Sequence, residues 1–339
     1  MSGGVDSSVA AALLKREGHS VVGVFMRTWS PEWLPCTWPE DRREAMRAAA
    51  HLGIPFLTFD FEREYKDEVV QYMIDEYQRG RTPNPDVLCN TSIKFGHFLR
   101  EARRRGADYI ATGHYAQNKK MRGLYSLHRG ADPDKDQSYF LWGLSQAELA
   151  YALFPVGGFV KKRVRELARE FTLPNAARKD SQGLCFIGKL DMEEFLSHYI
   201  EKKVGVVTLE DGTIIGEHSG IFFYTIGQRH GFMITKKTPS DTALYVVAKK
   251  ISENILVVSP RKPDDESGQM TVPLERIHWI STQANVDEKI VAQVRYRQSP
   301  QNAIILNTSV QFESPQTAAS GQSVVFYRGN ECLGGGVIA

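Results

Sequence analysis

The first half of the chain alternates helix-like and strand-like stretches, and this alternation restricts the possible folds more than any other feature. Apolar periodicity and closing glycines predict helices over residues 7–17, 40–52, 65–78 and 93–105. Short apolar runs between them predict strands over residues 19–26, 55–60 and 108–112. Strands joined by helical crossovers form parallel sheets, so we predict a doubly wound α/β domain over residues 1–200.

The pattern changes after residue 200, where short β-rich runs follow one another between turn residues. The predicted strands cover residues 204–209, 221–226, 245–247, 255–259, 290–298, 303–307, 309–313 and 323–328. Period-two alternation with intervening Pro and Gly is typical of small sheets and barrels. We predict a small β-rich central domain over residues 201–262 and a C-terminal β-barrel domain over residues 263–339, with residues 260–268 as the linker.

Composition is that of an ordinary globular protein and leaves the partners open. The 339 residues are 42% hydrophobic and 24% charged, and the formal net charge of +2 does not by itself indicate a nucleic-acid-binding protein. Basic residues nevertheless cluster at residues 100–105, 119–122 and 161–165. We interpret each cluster as a solvated helix face, while the clusters together leave a phosphate-binding surface open.

Neither a secretion signal nor a membrane span is predicted. The N-terminal stretch lacks a basic region, Asp6 interrupts it, and no apolar run approaches the length that crosses a bilayer. The cysteines are far apart and form no CxxC pair, which argues against a zinc site; they are Cys36, Cys89, Cys185 and Cys332. We therefore expect a cytoplasmic protein without a membrane partner, in which a disulfide would be transient and catalytic.

The chain opens with a glycine loop that runs directly into the first predicted helix, Ser2-Gly3-Gly4-Val5-Asp6-Ser7-Ser8. Glycines let backbone N–H groups turn towards an anion, and the helix N-terminus adds unpaired donors. No Gly-Lys-Ser/Thr follows, so this is not a Walker A loop. The simpler interpretation is a glycine turn in which Asp6 or Ser7 caps the helix.

The segment SGGVDS resembles the signature of the PP-loop ATP pyrophosphatases, which cleave ATP to AMP and pyrophosphate. This resemblance favours a phosphate-binding loop over a simple glycine turn. In that superfamily a buried strand precedes the loop, whereas this sequence begins at the loop itself. Without such a strand, its neighbours in the sheet would have unpaired edges, and we would expect weaker folding and ATP binding.

Two cysteines lie in segments that favour a chemical role. Cys89 follows the double-proline segment Arg81-Thr82-Pro83-Asn84-Pro85-Asp86, and a helix is predicted to begin near Ile93. A thiol just before a helix N-terminus lies close to donors that stabilise its thiolate. Cys185 lies in the segment SQGLCFIG. The alternative for each is a small buried core cysteine, the more common fate of a lone cysteine.

Five long motifs occur in one order along the chain: RTPNPDVLCN, TGHYA, KDQSYFL, SQGLCFIGK and YTIGQRHG. The same motifs in this order characterise the tRNA-specific 2-thiouridylase family, which the chain resembles from residue 1 to the closing ECLGGGVI. The resemblance implies a PP-loop ATP-binding domain followed by two β-rich domains that contact tRNA. It also implies ATP-dependent replacement of oxygen by sulfur at the 2-position of the wobble uridine.

The resemblance also assigns roles to individual residues. Cys185 matches the cysteine that carries persulfide sulfur, Cys89 matches the nucleophile, and Asp86 is placed to act as acid or base on the uracil. The positions that match ATP-binding residues are Met1, Ser2, Gly3, Gly4, Val5, Asp6, Ser7, Ser8, Met26 and Gly113. The positions that match tRNA contacts are Asn84, Pro85, Asp86, His114, Lys135, Asp136, Gln137, Arg295, Tyr296 and Gln322.

The strand predicted over residues 290–298 carries two of these tRNA-contact positions. Because neighbours on a strand face opposite ways, Arg295 and Arg297 would share one face and Tyr296 would take the other, unless the strand ends or twists near Ser299. On pattern alone, solvated arginines and a core tyrosine are the simpler interpretation. The resemblance favours RNA contact for Arg295 above all.

The implied partners are tRNA, ATP with Mg²⁺, and a persulfide donor such as a desulfurase or a sulfur-relay protein. Three alternatives remain at this point. Another PP-loop ATP pyrophosphatase would share SGGVDS but not both cysteine motifs. A tRNA-binding homologue with impaired catalysis would follow from a missing first strand. A thiol redox protein fits poorly, because no CxxC is present.

Overall fold

A computed structural model describes residues 1–34, 38–179, 191–235, 243–261, 268–281, 283, 285 and 288–339. Cys36 and Cys185 lie outside the described residues. Within the described part of the chain, every helix is too short or too polar to cross a bilayer. The description that follows covers these residues alone.

The N-terminal part combines parallel strand pairs with helices, as predicted. Strand β1 (Gly23–Arg27) pairs in parallel with β2 (Phe56–Asp60), and β3 (Ile110–Ala111) pairs in parallel with β6 (Ala152–Leu153). The helices are α1 (Val5–Arg16), α2 (Trp38–His51), α3 (Glu62–Tyr65), α4 (Gln71–Gln78), α5 (Pro85–Leu88), α6 (Leu99–Arg104), α7 (Gln146–Leu149), α8 (Lys161–Glu170) and α9 (Met192–Ser197). The predicted α/β fold class is confirmed for this part of the chain.

Two helical runs are longer than predicted, because π-helical segments join their α-helical parts. Lys66–Val70 joins α3 to α4, and Cys89–Phe98 joins α5 to α6. Proline is well tolerated at the start of a helix, where its missing N–H would have no intrahelical partner. Pro85 accordingly begins the second run, well before the predicted start near Ile93.

This earlier start changes the environment of Cys89. The thiol lies inside the helical run and is fully buried beside apolar side chains of the main core. The predicted position in a loop just before a helix N-terminus is therefore wrong. Any stabilisation of a thiolate at Cys89 must come from side chains or a substrate and not from unpaired donors of a helix start.

The C-terminal half contains an open sheet and a closed barrel. The five-stranded sheet follows the order β10-β11-β7-β8-β9. Its strands are β7 (Gly205–Thr208), β8 (Ile214–His218), β9 (Met233–Ile234), β10 (Tyr245–Lys250) and β11 (Ile255–Ser259). Short 3-10 turns lie at Ile221–Phe223 and Ile251–Glu253, so the strand predicted over residues 221–226 is wrong.

The barrel closes through six strands in the order β12-β15-β14-β13-β16-β17, because β17 also pairs with β12. The strands are β12 (Gln269–Trp279), β13 (Lys289–Gln293), β14 (Gln301–Ile305), β15 (Ser309–Gln316), β16 (Ser323–Arg328) and β17 (Glu331–Ile338). Closure leaves no free strand edge within this group. The predicted C-terminal β-barrel is confirmed.

A hairpin of the N-terminal part joins the barrel, which the sequence did not lead us to expect. The hairpin consists of β4 (Ala116–Met121) and β5 (Leu124–Arg129), and β5 pairs with β17. Beside it, Arg129 donates to Asp136 Oδ2 at 3.0 Å and to Gln293 Oε1 of the barrel at 3.0 Å. The two parts of the chain are therefore connected by both backbone pairing and a side-chain hydrogen bond from Arg129, whose charge is paired with Asp136.

Strand β13 is shorter than predicted and ends before the residues of interest. It stops at Gln293, and the N–H of Gln298 bonds to the carbonyl of Arg295 in the turn that follows. Arg297 there adopts a φ of 64°. The expected division of Arg295, Tyr296 and Arg297 between two strand faces is wrong, because all three lie in this turn.

Candidate functional site

The opening glycine loop forms a compact turn at the start of α1. Gly3 has a φ of +79°, a left-handed conformation that favours glycine. The hydroxyls of Ser7 and Ser8 donate to the carbonyl of Gly4 at 3.2 and 3.1 Å. A Cβ atom added at Gly4 would meet only Ser2 Oγ, at 3.4 Å. Hydroxyls of the first helical turn therefore hold the loop, and there is free space beside the Cα atom of Gly4, as binding of a phosphate requires.

Two residues after helix α8 hold this loop from the other side. Asn175 Nδ2 donates to the carbonyl of Gly3 at 2.8 Å and to Ser8 Oγ at 3.0 Å. Arg178 donates to the same carbonyl at 3.1 Å and to Asp41 at 2.5 Å. The loop conformation thus depends on residues about 170 positions away, which local sequence reasoning missed.

The carboxylate of Asp6 is bound by a lysine that we had placed on a solvated helix face. Lys161 Nζ lies 2.7 and 2.9 Å from the two oxygens of Asp6, and the hydroxyl of Tyr115 donates to Asp6 at 2.8 Å. The interpretation of Lys161 as a solvated residue is therefore wrong. The basic cluster at residues 161–165 was the only signal that could have identified it.

The predicted position Gly113 lies against the same loop. A Cβ atom there would come within 2.7 Å of the backbone N of Ser7, so only glycine allows the approach. Gly113 follows the C-terminal end of β3, and Met26 lies near the C-terminal end of β1. Ligands of parallel α/β sheets bind at such strand ends. The structure thus brings the loop and Gly113 into contact and places Met26 at an equivalent strand end.

His114 connects this region to the helical run that carries Cys89. Its Nδ1 lies 2.8 Å from Thr112 Oγ1, and its Nε2 lies 3.4 Å from Lys94 Nζ. Burial, and then the charge of Lys94, hold the pKa of His114 well below its usual range. A neutral, buried imidazole is not a surface contact, so RNA binding by His114 stays a prediction.

Lys94 is itself a residue that the sequence did not single out. It is 9% exposed and belongs to the π-helical segment that begins at Cys89. In a π-helix each N–H bonds five residues back, so Lys94 lies one turn after Cys89. A buried cation is therefore present between the thiol's helix and the Gly113–His114 segment.

The residues predicted to receive the base lie immediately before Cys89. Asn84 precedes α5, and its side chain hydrogen-bonds to Tyr139. Burial raises the pKa of the Tyr139 hydroxyl. Pro85 and Asp86 form the first turn of α5, and Asp86 is half-buried. We call residues 81–86 the base loop. Cys185 lies outside the described residues, so the structure says nothing of its distance from Cys89.

Two members of the KDQSYFL motif have internal roles. Asp136 accepts from Arg129, the N–H of Gly130, and the N–H and hydroxyl of Ser138, at 3.0 to 3.1 Å. Gln137 Oε1 accepts from the N–H of Tyr115 at 3.0 Å. RNA contact by either residue would compete with these bonds. Lys135, by contrast, is half-buried and stays a candidate for contact.

Arg295 and Tyr296 lie where the barrel meets the other two parts. Arg295 Nη2 donates to the carbonyl of Ile226 at 3.2 Å. Its charge also opposes the rise in the pKa of Tyr139, so Arg295 lies near the hydroxyl that Asn84 binds. The ring of Tyr296 packs on Phe140 with centroids 4.4 Å apart. Arg295 therefore lies near the base loop, and Tyr296 lies beside Tyr139, the partner of Asn84.

The last predicted contact, Gln322, bonds inward. Its Nε2 donates to the carbonyls of Thr82 and Pro83 at 2.8 and 3.0 Å. Gln322 and Arg295 of the C-terminal part thus lie close to the base loop of the N-terminal part, and Arg295 also reaches the central part at Ile226. Among the residues that the structure describes, no group of three His, Cys, Asp or Glu side chains is arranged to hold a metal ion.

Comparisons with known proteins agree with this layout. Three family models match in succession: a tRNA methyl transferase HUP domain over residues 1–189, a tRNA methyl transferase PRC-barrel domain over residues 193–260, and an aminomethyltransferase beta-barrel domain over residues 269–338. The chain is 44% identical over 348 residues to the tRNA-specific 2-thiouridylase MnmA of Geobacillus thermodenitrificans, covering 100% of this chain and 93% of the relative. It is 45% identical over 348 residues to MnmA 2 of Geobacillus kaustophilus, with the same coverage of both chains.

Proposed function

Because the chain belongs to the tRNA-specific 2-thiouridylase family, we propose that it uses ATP to replace the 2-oxygen of a tRNA uridine by sulfur. One observation carries the proposal. Gly113 packs on the glycine loop, and His114, the next residue, contacts Lys94 in the helical segment that starts at Cys89. A nucleotide on the loop and a base beside Cys89 would therefore be neighbours. The anticodon wobble uridine is the proposed target.

ATP would lie with its phosphates on the glycine loop. Residues 2–8 supply backbone N–H groups and hydroxyls, and Met26 and Gly113 border the nucleotide at the strand ends. Bound Mg²⁺ would neutralise phosphate charge, with Asp6 as the nearby carboxylate of this loop. Lys161, which binds Asp6 at 2.7 Å, holds that carboxylate in a fixed orientation.

The chemistry requires that a poor leaving group be activated first. The C2 oxygen of uracil takes AMP from ATP, and pyrophosphate leaves. The terminal sulfur of a persulfide on Cys185 then attacks C2 and displaces AMP. The thiolate of Cys89 attacks the Cys185 sulfur, which leaves a Cys89–Cys185 disulfide and the sulfur on C2.

In a second route, the thiolate of Cys89 attacks the Cys185 sulfur of the persulfide first. This forms the Cys89–Cys185 disulfide and frees hydrosulfide, which then attacks C2 and displaces AMP. In both routes a two-electron reductant restores the thiols.

Six of the predicted tRNA-contact residues would bind the RNA. Asn84, Pro85 and Asp86 would hold the extruded uracil, with Asp86 as acid or base at N3. Lys135, Arg295 and Tyr296 would contact the anticodon stem-loop. The persulfide on Cys185 would come from a desulfurase or a sulfur-relay protein.

Nucleoside mass spectrometry tests the proposal directly. We expect 2-thiouridine in tRNA after incubation with the protein, ATP, Mg²⁺ and a persulfide donor, and none when ATP is omitted. The descriptions of the family models name methyl transfer, so the same digest should be searched for a methylated uridine. The two cysteine motifs favour sulfur transfer. A methylated product without sulfur would refute the proposal.

Replacing Arg295 by alanine tests the proposed RNA surface. We expect weaker tRNA binding and a salt dependence that flattens by roughly 0.7 to 0.9 in log–log slope, because one phosphate contact is lost. Filter binding over a range of salt concentrations measures both. Lys289, exposed on β13 of the same barrel, provides the matched control as Lys289→Ala. An unchanged slope would leave Arg295 with only its bond to the Ile226 carbonyl.

A further inference from the structure

The backbone of the base loop is held by the barrel. The N–H of Thr82 donates to the carbonyl of Ser320 at 2.8 Å. The carbonyls of Thr82 and Pro83 accept from the side-chain amide of Gln322 at 2.8 and 3.0 Å. Both polar backbone groups of Thr82 are therefore satisfied from the turn between β15 and β16. Thr82 and Pro83 have no partner strand or helix of their own that could replace these bonds.

The base loop lies close to the turn between β15 and β16, and further contacts hold the loop on either side of Thr82 and Pro83. Gly321 has a φ of +91°, and a Cβ atom there would lie 3.0 Å from the carbonyl oxygen of Thr82. At the start of the loop, Arg81 donates to Glu275 of β12 at 2.5 Å. At its end, Asn84 bonds to Tyr139, and the Tyr139 hydroxyl donates to the carbonyl of Ser323 at 2.9 Å.

Gln322 itself is held firmly by the barrel. The N–H of Ile338 in β17 donates to the backbone carbonyl of Gln322 at 2.8 Å, and the N–H of Gln322 bonds to Ala319 at 3.1 Å. A side chain fixed in this way transmits the position of a rigid barrel to residues 81–84 of the base loop, which have no regular structure. The loop leads directly into α5 and Cys89.

We propose that Gln322 is a positioning residue, which acts on the reaction by fixing the base loop. This inference rests on the proposed function, since it assumes that the loop receives the uracil. Its amide hydrogens point at the two loop carbonyls and are not available to a nucleotide. Misplacement of a reacting group by about 1 Å can lower a rate by roughly 100-fold, so the barrel would control turnover as well as RNA affinity.

Kinetics of Gln322→Ala and Gln322→Glu test the inference. We expect kcat for thiolation to fall by about 10- to 100-fold in both variants, with the tRNA concentration for half-maximal rate changed by less than about threefold. The glutamate variant keeps the shape of the Gln322 side chain but places a carboxylate against the two loop carbonyls. It therefore separates the loss of the two donated hydrogen bonds from the loss of side-chain packing. Gln311→Ala, at an exposed position of β15, is the matched control and should match the wild type.

Hydrogen exchange gives a readout that does not depend on activity. In a peptide covering residues 79–88, we expect the amide of Thr82 to exchange about tenfold faster in both Gln322 variants, while exchange in the barrel strands is unchanged. Weaker tRNA binding with an unchanged kcat and unchanged exchange would overturn the inference and return Gln322 to RNA contact. Failure of the wild type to form 2-thiouridine would refute the proposed function, yet the exchange result would still decide whether Gln322 holds the loop.

Discussion

We expect that replacing either Cys89 or Cys185 by serine lowers 2-thiouridine formation by at least about 1000-fold, because each thiol forms a covalent bond that serine cannot replace. Nucleoside mass spectrometry of tRNA after a single turnover measures the product. The two variants should differ in what accumulates. With Cys89→Ser, sulfur loaded from the donor stays bonded to Cys185, as the free persulfide in the second route and as a disulfide to C2 of the uridine in the first, whereas Cys185→Ser cannot be loaded.

The substitution at Cys89 should leave the fold intact. The side chain is fully buried, and exchange of sulfur for oxygen changes its volume little, so we expect a loss of about 1 kcal/mol in the free energy of unfolding. Thermal denaturation checks this. Cys332 provides the control as Cys332→Ala: it lies in β17, burial raises the pKa of its thiol, and thiolation should persist. Near-normal thiolation by Cys89→Ser or Cys185→Ser would remove that cysteine from the mechanism.

The second large effect is expected at Gly3. A Cβ atom there would lie 2.5 Å from the carbonyl oxygen of Asp41 and 2.7 Å from Arg178 Nη1, and the left-handed φ adds strain. We expect Gly3→Val to slow ATP- and tRNA-dependent pyrophosphate release by roughly 100-fold, because the phosphate cradle is displaced. Asp6→Ala should act in the same direction, since it removes the carboxylate that Lys161 and Tyr115 bind.

Gly18 supplies the matched control for Gly3. It also has a left-handed φ, of +91°, and lies at the other end of α1, but a Cβ atom there would meet nothing within 4 Å. Gly18→Val should therefore cost some stability and leave pyrophosphate release unchanged. Binding of tRNA by Gly3→Val should stay within about twofold of the wild type, since the proposed RNA surface lies on other segments. Equal loss of tRNA binding and pyrophosphate release would indicate general unfolding instead.

The sequence by itself determined the fold class, the order of the parts and the principal chemical groups. Alternating periodicity predicted parallel strands with helical crossovers, and period-two runs predicted the barrel, because both patterns are local consequences of which side chains face a core. Long motifs identified the glycine loop and the segments around Cys89 and Cys185. Gly3 and Gly113 were singled out as positions that match ATP-binding residues, and the structure adds that the backbone of another segment approaches each of them closely.

Only the tertiary structure decided which of these residues hold the site together. Lys161 looked solvated because its neighbours are basic, yet it binds Asp6 from 155 positions away. Asp136 matched an RNA contact, yet its carboxylate is occupied by internal donors. The amide of Gln322 binds the base loop across 240 positions. Such partners depend on how separate elements pack, and no local pattern of side chains encodes the distance between two atoms that are far apart in the chain.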